Sequence, residues 1–165
     1  KGMSFDVCFT SALKRAMQTW GEVSQVIGAE SVLTVSDKAL NERDYGDLTG
    51  KNKWEVEKQL GEEEFLKIRR SWDYPTPNGE SLKDVYERVV PFYEYHILPE
   101  LRNGKNVIVV AHGNSLRALV KLLENIPDDE ISKLEMKLGE PFVYEIYSAG
   151  KFNSKKILSI CSEVA

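Results

Sequence analysis

Three residues that could bind an anion follow an apolar segment in the last third of the chain. The segment from Asn106 to Ala111 is rich in β-branched residues, which is typical of a buried strand, and it is followed by His112, Gly113 and Asn114. In open α/β sheets, ligands bind outside the carboxyl ends of the strands, where the next helix points free N–H groups at an anion. The position favours contact with a phosphate or phosphoryl group. The alternative is a structural histidine in a strand-to-helix turn.

An arginine near the start of the chain is a second candidate. Arg15 falls one turn into a helix that we predict after the strand Phe5–Thr10, with Ser11 as its N-cap and Gly28 as its end. A guanidinium presents a planar pair of donors that matches phosphate or carboxylate, and a helix N-terminus adds favourable potential. The alternative is an arginine on the surface.

The segment 40–53 is dense in ionisable side chains and is predicted to be a loop. A crowded carboxylate can be tuned to donate or accept a proton, and a lysine can hold an anion as a point charge. The simplest alternative is a solvated loop, but apolar residues between the charges favour an ordered one. The candidates in this segment are Glu42, Arg43, Asp44, Tyr45 and Lys53.

Two adjacent arginines, Arg69 and Arg70, end an amphipathic segment. Their guanidinium groups repel each other unless an anion or an acidic partner lies between them. Pairing with Glu62–Glu64, one or two turns away, is the structural alternative. His96 lies on a long predicted helix and is interpreted as a structural or surface histidine.

The elements that must position these residues alternate between strand and helix. This order predicts an α/β fold with a mostly parallel sheet flanked by helices. A capping box at Ser81 and Asp84 opens the long helix, which Pro91 should kink, and Pro127 is predicted to open another short helix. The predicted strands are Phe5–Thr10, Ser31–Ser36, Asn106–Ala111 and a hairpin of Phe142–Tyr147 with Lys155–Ile160 around Ala149-Gly150; the other helices are Asn52–Leu60, Glu62–Trp72 and Ser115–Glu124.

Length and composition limit the class of protein. At 165 residues the chain is expected to form a single domain over 1–165, and its net charge of −4 argues against a nucleic-acid partner. Two cysteines are too few for a disulfide scaffold, and Cys8 is predicted to be buried in a strand. No apolar run reaches a membrane span, so we expect no membrane contact and a cytoplasmic location. No metal-ligand spacing occurs among the histidines and cysteines.

Together the motifs resemble a known family. The chain is similar to the 2,3-bisphosphoglycerate-dependent phosphoglycerate mutases of the histidine phosphatase superfamily, in their shorter bacterial form. The Asn-Glu-Arg-x-Tyr-Gly and Arg-Arg-Ser motifs are specific to mutases, whereas His-Gly belongs to the wider superfamily. The matching segments are Phe5-Asp-Val, Phe9-Thr-Ser-Ala-Leu-Lys-Arg15, Leu40-Asn-Glu-Arg-Asp-Tyr-Gly46, Gly50-Lys-Asn-Lys53, Ile68-Arg-Arg-Ser-Trp-Asp73, Pro77-Asn-Gly-Glu-Ser-Leu-Lys83 and Ala111-His-Gly-Asn-Ser-Leu-Arg117.

The chain departs from the family pattern at its start. Members of the family begin with a strand ending in Arg-His-Gly, whose histidine carries the transferred phosphoryl group. The chain begins at Lys1 and contains only His96 and His112, neither in that context. We therefore expect the domain to be N-terminally incomplete, without the first central strand and the phosphohistidine, and the chain to be inactive alone.

The resemblance implies interconversion of 3-phosphoglycerate and 2-phosphoglycerate through a phosphohistidine, primed by 2,3-bisphosphoglycerate and without a metal. It implies phosphoglycerates as partners and a homodimer or homotetramer. Two alternatives stay open: a broad-specificity histidine phosphatase and a non-catalytic anion-binding fragment. The implied catalytic residues are Glu42, which moves a proton, and His112, which stabilises the phosphoryl group; the implied substrate-binding residues are Arg15, Arg43, Asp44, Tyr45, Lys53, Arg69, Arg70, Gly113 and Asn114.

Overall fold

The computed structural model describes residues 2–147 and 152–158. Within them, parallel strands alternate with helices, and a separate hairpin follows. The strands are β1 (Val7–Ser11), β2 (Leu33–Asp37), β3 (Val107–Val110), β4 (Phe142–Ile146) and β5 (Phe152–Ile157). The helices are α1 (Lys14–Ile27), α2 (Lys53–Leu60), α3 (Glu62–Arg70), α4 (Leu82–Phe92), α5 (Leu98–Arg102) and α6 (Gly113–Glu124).

The main sheet has three parallel strands in the order β2-β1-β3. Val7 of β1 pairs with Leu33 on one side and Val107 on the other, so all three carboxyl ends lie at the same edge. Every residue of β1 is buried, as expected of a strand between two neighbours. The predicted mostly parallel sheet flanked by helices is confirmed. No strand within the described ranges pairs with the outer edge of β3.

Apolar side chains on both faces of β1 hold the helices against the sheet. On one face, Val7 and Phe9 pack with α4 and α6 in a cluster that includes Val85 and Val89. On the other face Cys8, fully buried as predicted, packs with Trp20 of α1. Burial raises the pKa of the Cys8 thiol to about 12, so the thiol stays protonated and acts as a small apolar group.

The start of α1 differs from the prediction. Ser11 was expected to cap the helix, but β1 runs through Ser11 and α1 begins only at Lys14. The Ser11 hydroxyl accepts a hydrogen bond from the Leu13 N–H (3.2 Å), and it also contacts His112 across the sheet edge. Tertiary pairing therefore takes precedence over the local capping signal. The predicted end is confirmed, since Gly28 has a left-handed φ of 69°.

The long helix begins as predicted and then changes its hydrogen-bond pattern. Ser81 and Asp84 form the capping box at the start of α4. Pro91 lies inside α4, and the next segment, Tyr93–Ile97, is a π-helical turn before α5. A proline has no N–H to donate, so a local change of the helical ladder is the expected consequence. Pro127 is followed not by an α-helix but by a turn and a 3₁₀ segment at Ile131–Lys133.

The hairpin of β4 and β5 is antiparallel, and its second strand begins at Phe152 rather than at the predicted Lys155. Glu124 at the end of α6 joins the hairpin to the rest of the fold, because its carboxylate accepts from the Tyr144 hydroxyl (2.5 Å) and pairs with Lys155 (2.6 Å). The predicted turn at Ala149-Gly150 lies outside the described residues. Within the described part of the chain, no helix is long and apolar enough to cross a membrane.

Candidate active site

Polar side chains from all three parallel strands meet at the carboxyl edge of the sheet. β1 ends at Ser11, His112 follows β3, and Glu42 lies in the loop after β2. Ser11 Oγ lies 2.6 Å from His112 Nε2, and the Asn114 N–H donates to Glu42 Oε1 at 3.1 Å. Residues separated by up to 101 positions in sequence therefore form one polar cluster.

The imidazole of His112 is held at both nitrogens. Arg15 Nε donates to His112 Nδ1 at 3.2 Å, so Nδ1 is the acceptor, and in the neutral ring the proton lies on Nε2, facing Ser11. The residue is only 8% exposed. Burial and the positive charge of Arg15 lower the pKa of His112; Arg88 lowers it further, while Glu42 acts in the opposite direction. The neutral ring therefore directs its Nε2–H at the Ser11 hydroxyl and accepts from Arg15 at Nδ1.

The carboxylate of Glu42 lies at the N-terminus of α6. Its Oε1 accepts from the N–H groups of Arg43 (2.8 Å) and Asn114 (3.1 Å). A Cβ on Gly113 would lie 3.8 Å from Oε2, so the helix start approaches both carboxylate oxygens. Asn114 in turn donates from its amide to the Tyr45 hydroxyl (3.1 Å). The carboxylate is therefore fixed through Oε1, and no described residue donates a hydrogen bond to Oε2.

Arg43, predicted to bind substrate, is buried, and its side-chain donors bind other groups of the protein. Its side chain is 3% exposed, and its guanidinium donates to the carbonyls of Ile68 (2.8 Å) and Glu80 and to the hydroxyl of Thr76 (2.8 Å). With these donors occupied, Arg43 connects the loop to the end of α3. Asp44 is likewise a turn residue, because its carboxylate accepts from the Gly46 N–H at 2.8 Å.

The adjacent arginines are nearly unpaired. Arg69 is exposed, over the Phe65 ring at 5.4 Å, and Arg70 makes only long contacts, to the Ser132 carbonyl (3.5 Å) and Glu135 (3.9 Å). The glutamates that could have paired with these arginines bind other residues instead: Glu63 pairs with Lys67 at 2.7 Å, and Glu64 accepts from the Tyr74 hydroxyl. Lys53 is exposed, 4.5 Å from the Trp54 ring centre, and within the described residues it makes no hydrogen bond or ion pair with the His112 cluster.

The family of this chain follows from its sequence over nearly its whole length. The family model of the histidine phosphatase superfamily (branch 1) matches residues 1–156. The chain belongs to this superfamily. Relatives within it include a 2,3-bisphosphoglycerate-dependent phosphoglycerate mutase of Beijerinckia indica, 45% identical over 97% of this chain and 77% of the relative. A phosphoglycerate mutase of Schizosaccharomyces pombe is 45% identical over 96% and 75%.

Solved structures agree with this assignment at the level of the fold. Bacillus stearothermophilus YhfR superimposes with a TM-score of 0.77, at 23% identity, over 93% of this chain and 73% of that protein. The architecture is thus that of a histidine phosphatase, and the resemblance to the phosphoglycerate mutases noted in the sequence is confirmed by the 45% identical relatives.

Two arginines of this histidine phosphatase domain were missed from the sequence. Arg117 lies one turn after Asn114 on α6, and its Nε is buried with no hydrogen-bond partner in the described chain. Burial lowers the pKa of Arg117, and the charges of Arg70 and Arg69 lower it further, which places three guanidinium groups in one region. The i, i+3 spacing from Asn114 was the available signal. The other missed residue, Arg88, contacts the backbone of the Glu42 loop.

No group of three or more His, Cys, Asp or Glu side chains within the described residues could hold a metal ion.

The shifted pKa of His112 leads to a first testable prediction. We expect its NMR titration midpoint to lie below the ordinary value of 6.5, and Arg15→Gln to move the midpoint upward because a nearby positive charge is removed. As the pH falls, the histidine of the unfolded chain binds a proton at a higher pH than the same histidine in the folded chain. The free energy of unfolding is therefore expected to decrease as the pH drops below 6.5. An unchanged midpoint in Arg15→Gln would show that the Arg15 contact does not set the titration; exposed Arg102→Gln is the control.

Proposed function

We propose that the protein interconverts 3-phosphoglycerate and 2-phosphoglycerate by phosphoryl transfer through a phosphohistidine enzyme, with 2,3-bisphosphoglycerate as the priming donor. The observation that carries the proposal is the Glu42 carboxylate, held beside the His112–Arg15 pair with one oxygen free. A mutase must move a proton to and from the substrate hydroxyl as well as transfer a phosphoryl group, and this cluster contains groups suited to both tasks. The 45% identity to named mutases supports the same conclusion.

His112 and Arg15 are proposed to stabilise the phosphoryl group in transit. Phosphoryl transfer depends mostly on positioning and on neutralising the charge of the transferred oxygens. The Nε2–H of the neutral imidazole faces the Ser11 hydroxyl at 2.6 Å, where a phosphoryl oxygen would take the place of that acceptor, and the Nη groups of Arg15 make no hydrogen bond within the described chain. Gly113 and Asn114 contribute the start of α6, whose N–H groups and dipole favour an anion.

Glu42 is proposed to carry the substrate proton. Its Oε1 stays bound to the N–H groups of Arg43 and Asn114, so the carboxylate does not need to reorient between its charged and protonated forms. Oε2 is then the oxygen that exchanges the proton with a substrate hydroxyl. Tyr45, whose hydroxyl is bound to the Asn114 amide, is proposed to line the same side of the pocket.

The arginine cluster is proposed to hold the second anionic end of the substrate. Arg69 and Arg70 have almost no acidic partner, and the Nε of Arg117 is buried without one in the described structure. Unpaired guanidinium groups in one region are costly unless an anion joins them. These residues therefore fit 2,3-bisphosphoglycerate, which supplies the priming phosphoryl group when bound. Lys53 is proposed as an outer anion contact, whereas Arg43 and Asp44 are retained as loop residues.

The function can be tested with the full-length protein and 3-phosphoglycerate, followed by ³¹P NMR with and without 2,3-bisphosphoglycerate and with a chelator present. We expect 2-phosphoglycerate to form in the primed, metal-free reaction. Release of inorganic phosphate without isomerisation would contradict the mutase proposal and indicate a phosphatase.

A second prediction concerns the anion cluster. Arg70→Ala should raise the KM for phosphoglycerate with little change in kcat, because a lost anion clamp weakens substrate and transition state together. A hydrogen bond to a charged group contributes about 1.5–3 kcal/mol, so the expected rise in KM is about 10- to 100-fold. Steady-state kinetics beside the exposed control Arg102→Ala would measure it. A fall in kcat at constant KM would assign Arg70 to the chemical step instead.

The cellular setting completes the proposal. We propose a cytoplasmic location and a homodimer or homotetramer, in keeping with the resemblance to phosphoglycerate mutases. Light scattering on the eluted full-length protein would measure the oligomeric state directly.

A further inference from the structure

Arg88 of α4 forms hydrogen bonds with the backbone of the loop that carries Glu42. Its guanidinium donates to the carbonyl oxygens of Ala39 at 2.6 Å, Asn41 at 3.1 Å and Glu42 at 3.3 Å. The first two residues of this set precede Glu42 in the loop, and the third bond is to Glu42 itself. One side chain from a rigid helix thus holds an irregular backbone segment in place.

Glu80 orients the same guanidinium from the other side. Its two carboxylate oxygens accept from Arg88 Nε at 2.7 Å and from Nη2 at 2.9 Å, a bidentate arrangement. Glu80 Oε2 also accepts from the Asp44 N–H at 2.8 Å, so the pair contacts the loop beyond Glu42 as well. Although burial raises the pKa of Glu80, the hydrogen bonds from Arg88 and from the Asp44 backbone outweigh it and leave the pKa lowered.

We propose that the Arg88–Glu80 pair is a positioning device for Glu42. It fixes the loop backbone so that Glu42 Oε1 meets the N–H groups of both Arg43 and Asn114, which leaves Oε2 free for the substrate. Arg88 makes no hydrogen bond to the Glu42 carboxylate, so it acts on Glu42 only through the main chain. The proposal rests on the proton-transfer role proposed for Glu42.

A simple stabilising ion pair would not need this geometry. The Arg88 and Glu80 side chains are 24% and 25% exposed, and ion pairs open to solvent contribute little by charge alone. What distinguishes this pair is the number and direction of its bonds to the loop carbonyls. A lysine keeps the charge but offers a single ammonium that cannot reproduce the planar fork, so Arg88→Lys separates charge from positioning.

The proposal can be tested with a double-mutant cycle on the full-length protein. Arg88→Lys should lower kcat by about 10- to 100-fold, as expected when a reacting group is displaced by about 1 Å, with KM within about twofold. The double variant Arg88→Lys/Glu42→Gln should have the kcat of Glu42→Gln alone, because no positioned carboxylate remains to be disturbed. Additive losses in the double variant would overturn the proposal. Arg102→Lys, at the exposed end of α5, is the matched control.

A second readout does not depend on the substrate. The Arg43 and Asn114 amide hydrogens both bind Glu42 Oε1, so their exchange with solvent deuterium reports its position. In Arg88→Lys we expect both amides to exchange faster while those of α1 remain unchanged. Unchanged exchange at both amides would overturn the positioning role, whatever the reaction. If the parent protein shows no mutase turnover and Arg88→Lys still loses this protection, the positioning role is upheld and the proposed function is refuted.

Discussion

Replacing Glu42 with glutamine in the full-length protein is expected to lower kcat by about 10²- to 10⁴-fold, or roughly 3–5 kcal/mol of barrier, with KM almost unchanged. The amide keeps the size of the side chain, and its carbonyl oxygen can still accept the N–H groups of Arg43 and Asn114. The loss is therefore confined to the position of Oε2, where glutamine carries an NH₂ group that cannot take a proton from the substrate hydroxyl. Binding should persist because the charge clamp lies on the arginines.

Steady-state kinetics in both directions would measure this effect, beside Glu55→Gln as a control on the exposed surface of α2. The control loses the same charge without touching the site, so its kcat and KM should match those of the parent protein. If Glu42→Gln raised KM and left kcat intact, Glu42 would be a binding or structural residue, and the proton-transfer role would be wrong.

The edge at which the site forms could be predicted from the sequence because strand and helix alternate. Once β1 and β3 are parallel, the residues that follow them must lie at one edge, and this is where Ser11 and His112 meet. The prediction needed only the apolar run before His112 and the helical pattern after it. Local patterns of this kind indicate which residues are buried, and the buried segments determine where the strands lie.

The use of individual polar side chains could not be predicted in the same way. Arg43 looks like a ligand-binding arginine in sequence, but its donors are filled by Ile68 and Thr76, which lie 25 and 33 positions away. Arg88 shows the converse, since on an amphipathic helix it looks like a solvated residue. The helical repeat of the sequence gives no information about the carbonyl groups that a distant loop brings within hydrogen-bond distance. A polar residue's role depends on these distant partners.

The loop that carries the site is also constrained by a close backbone contact, and this leads to a prediction on stability. Gly46 has a φ of +48°, and a Cβ at this position would lie 2.1 Å from the Pro77 carbonyl oxygen and 2.5 Å from the Asn78 carbonyl carbon. The Asp47 N–H donates to the same Pro77 carbonyl at 3.0 Å, so the two loops cannot separate without losing that bond. Gly46→Ala combines left-handed strain with overpacking, and we expect a loss of about 2–5 kcal/mol in the free energy of unfolding.

Gly50 provides a matched control within the same loop. Its φ is also positive, at +77°, but a Cβ there would meet nothing within 4 Å. Gly50→Ala should therefore lose only the strain component, about 1–2 kcal/mol, and urea unfolding of both variants would separate the two contributions. Equal losses in the two variants would show that the loops can move apart. A larger loss at Gly46 should be accompanied by reduced kcat, because Tyr45 and Glu42 belong to the segment that must shift when the Cβ is accommodated.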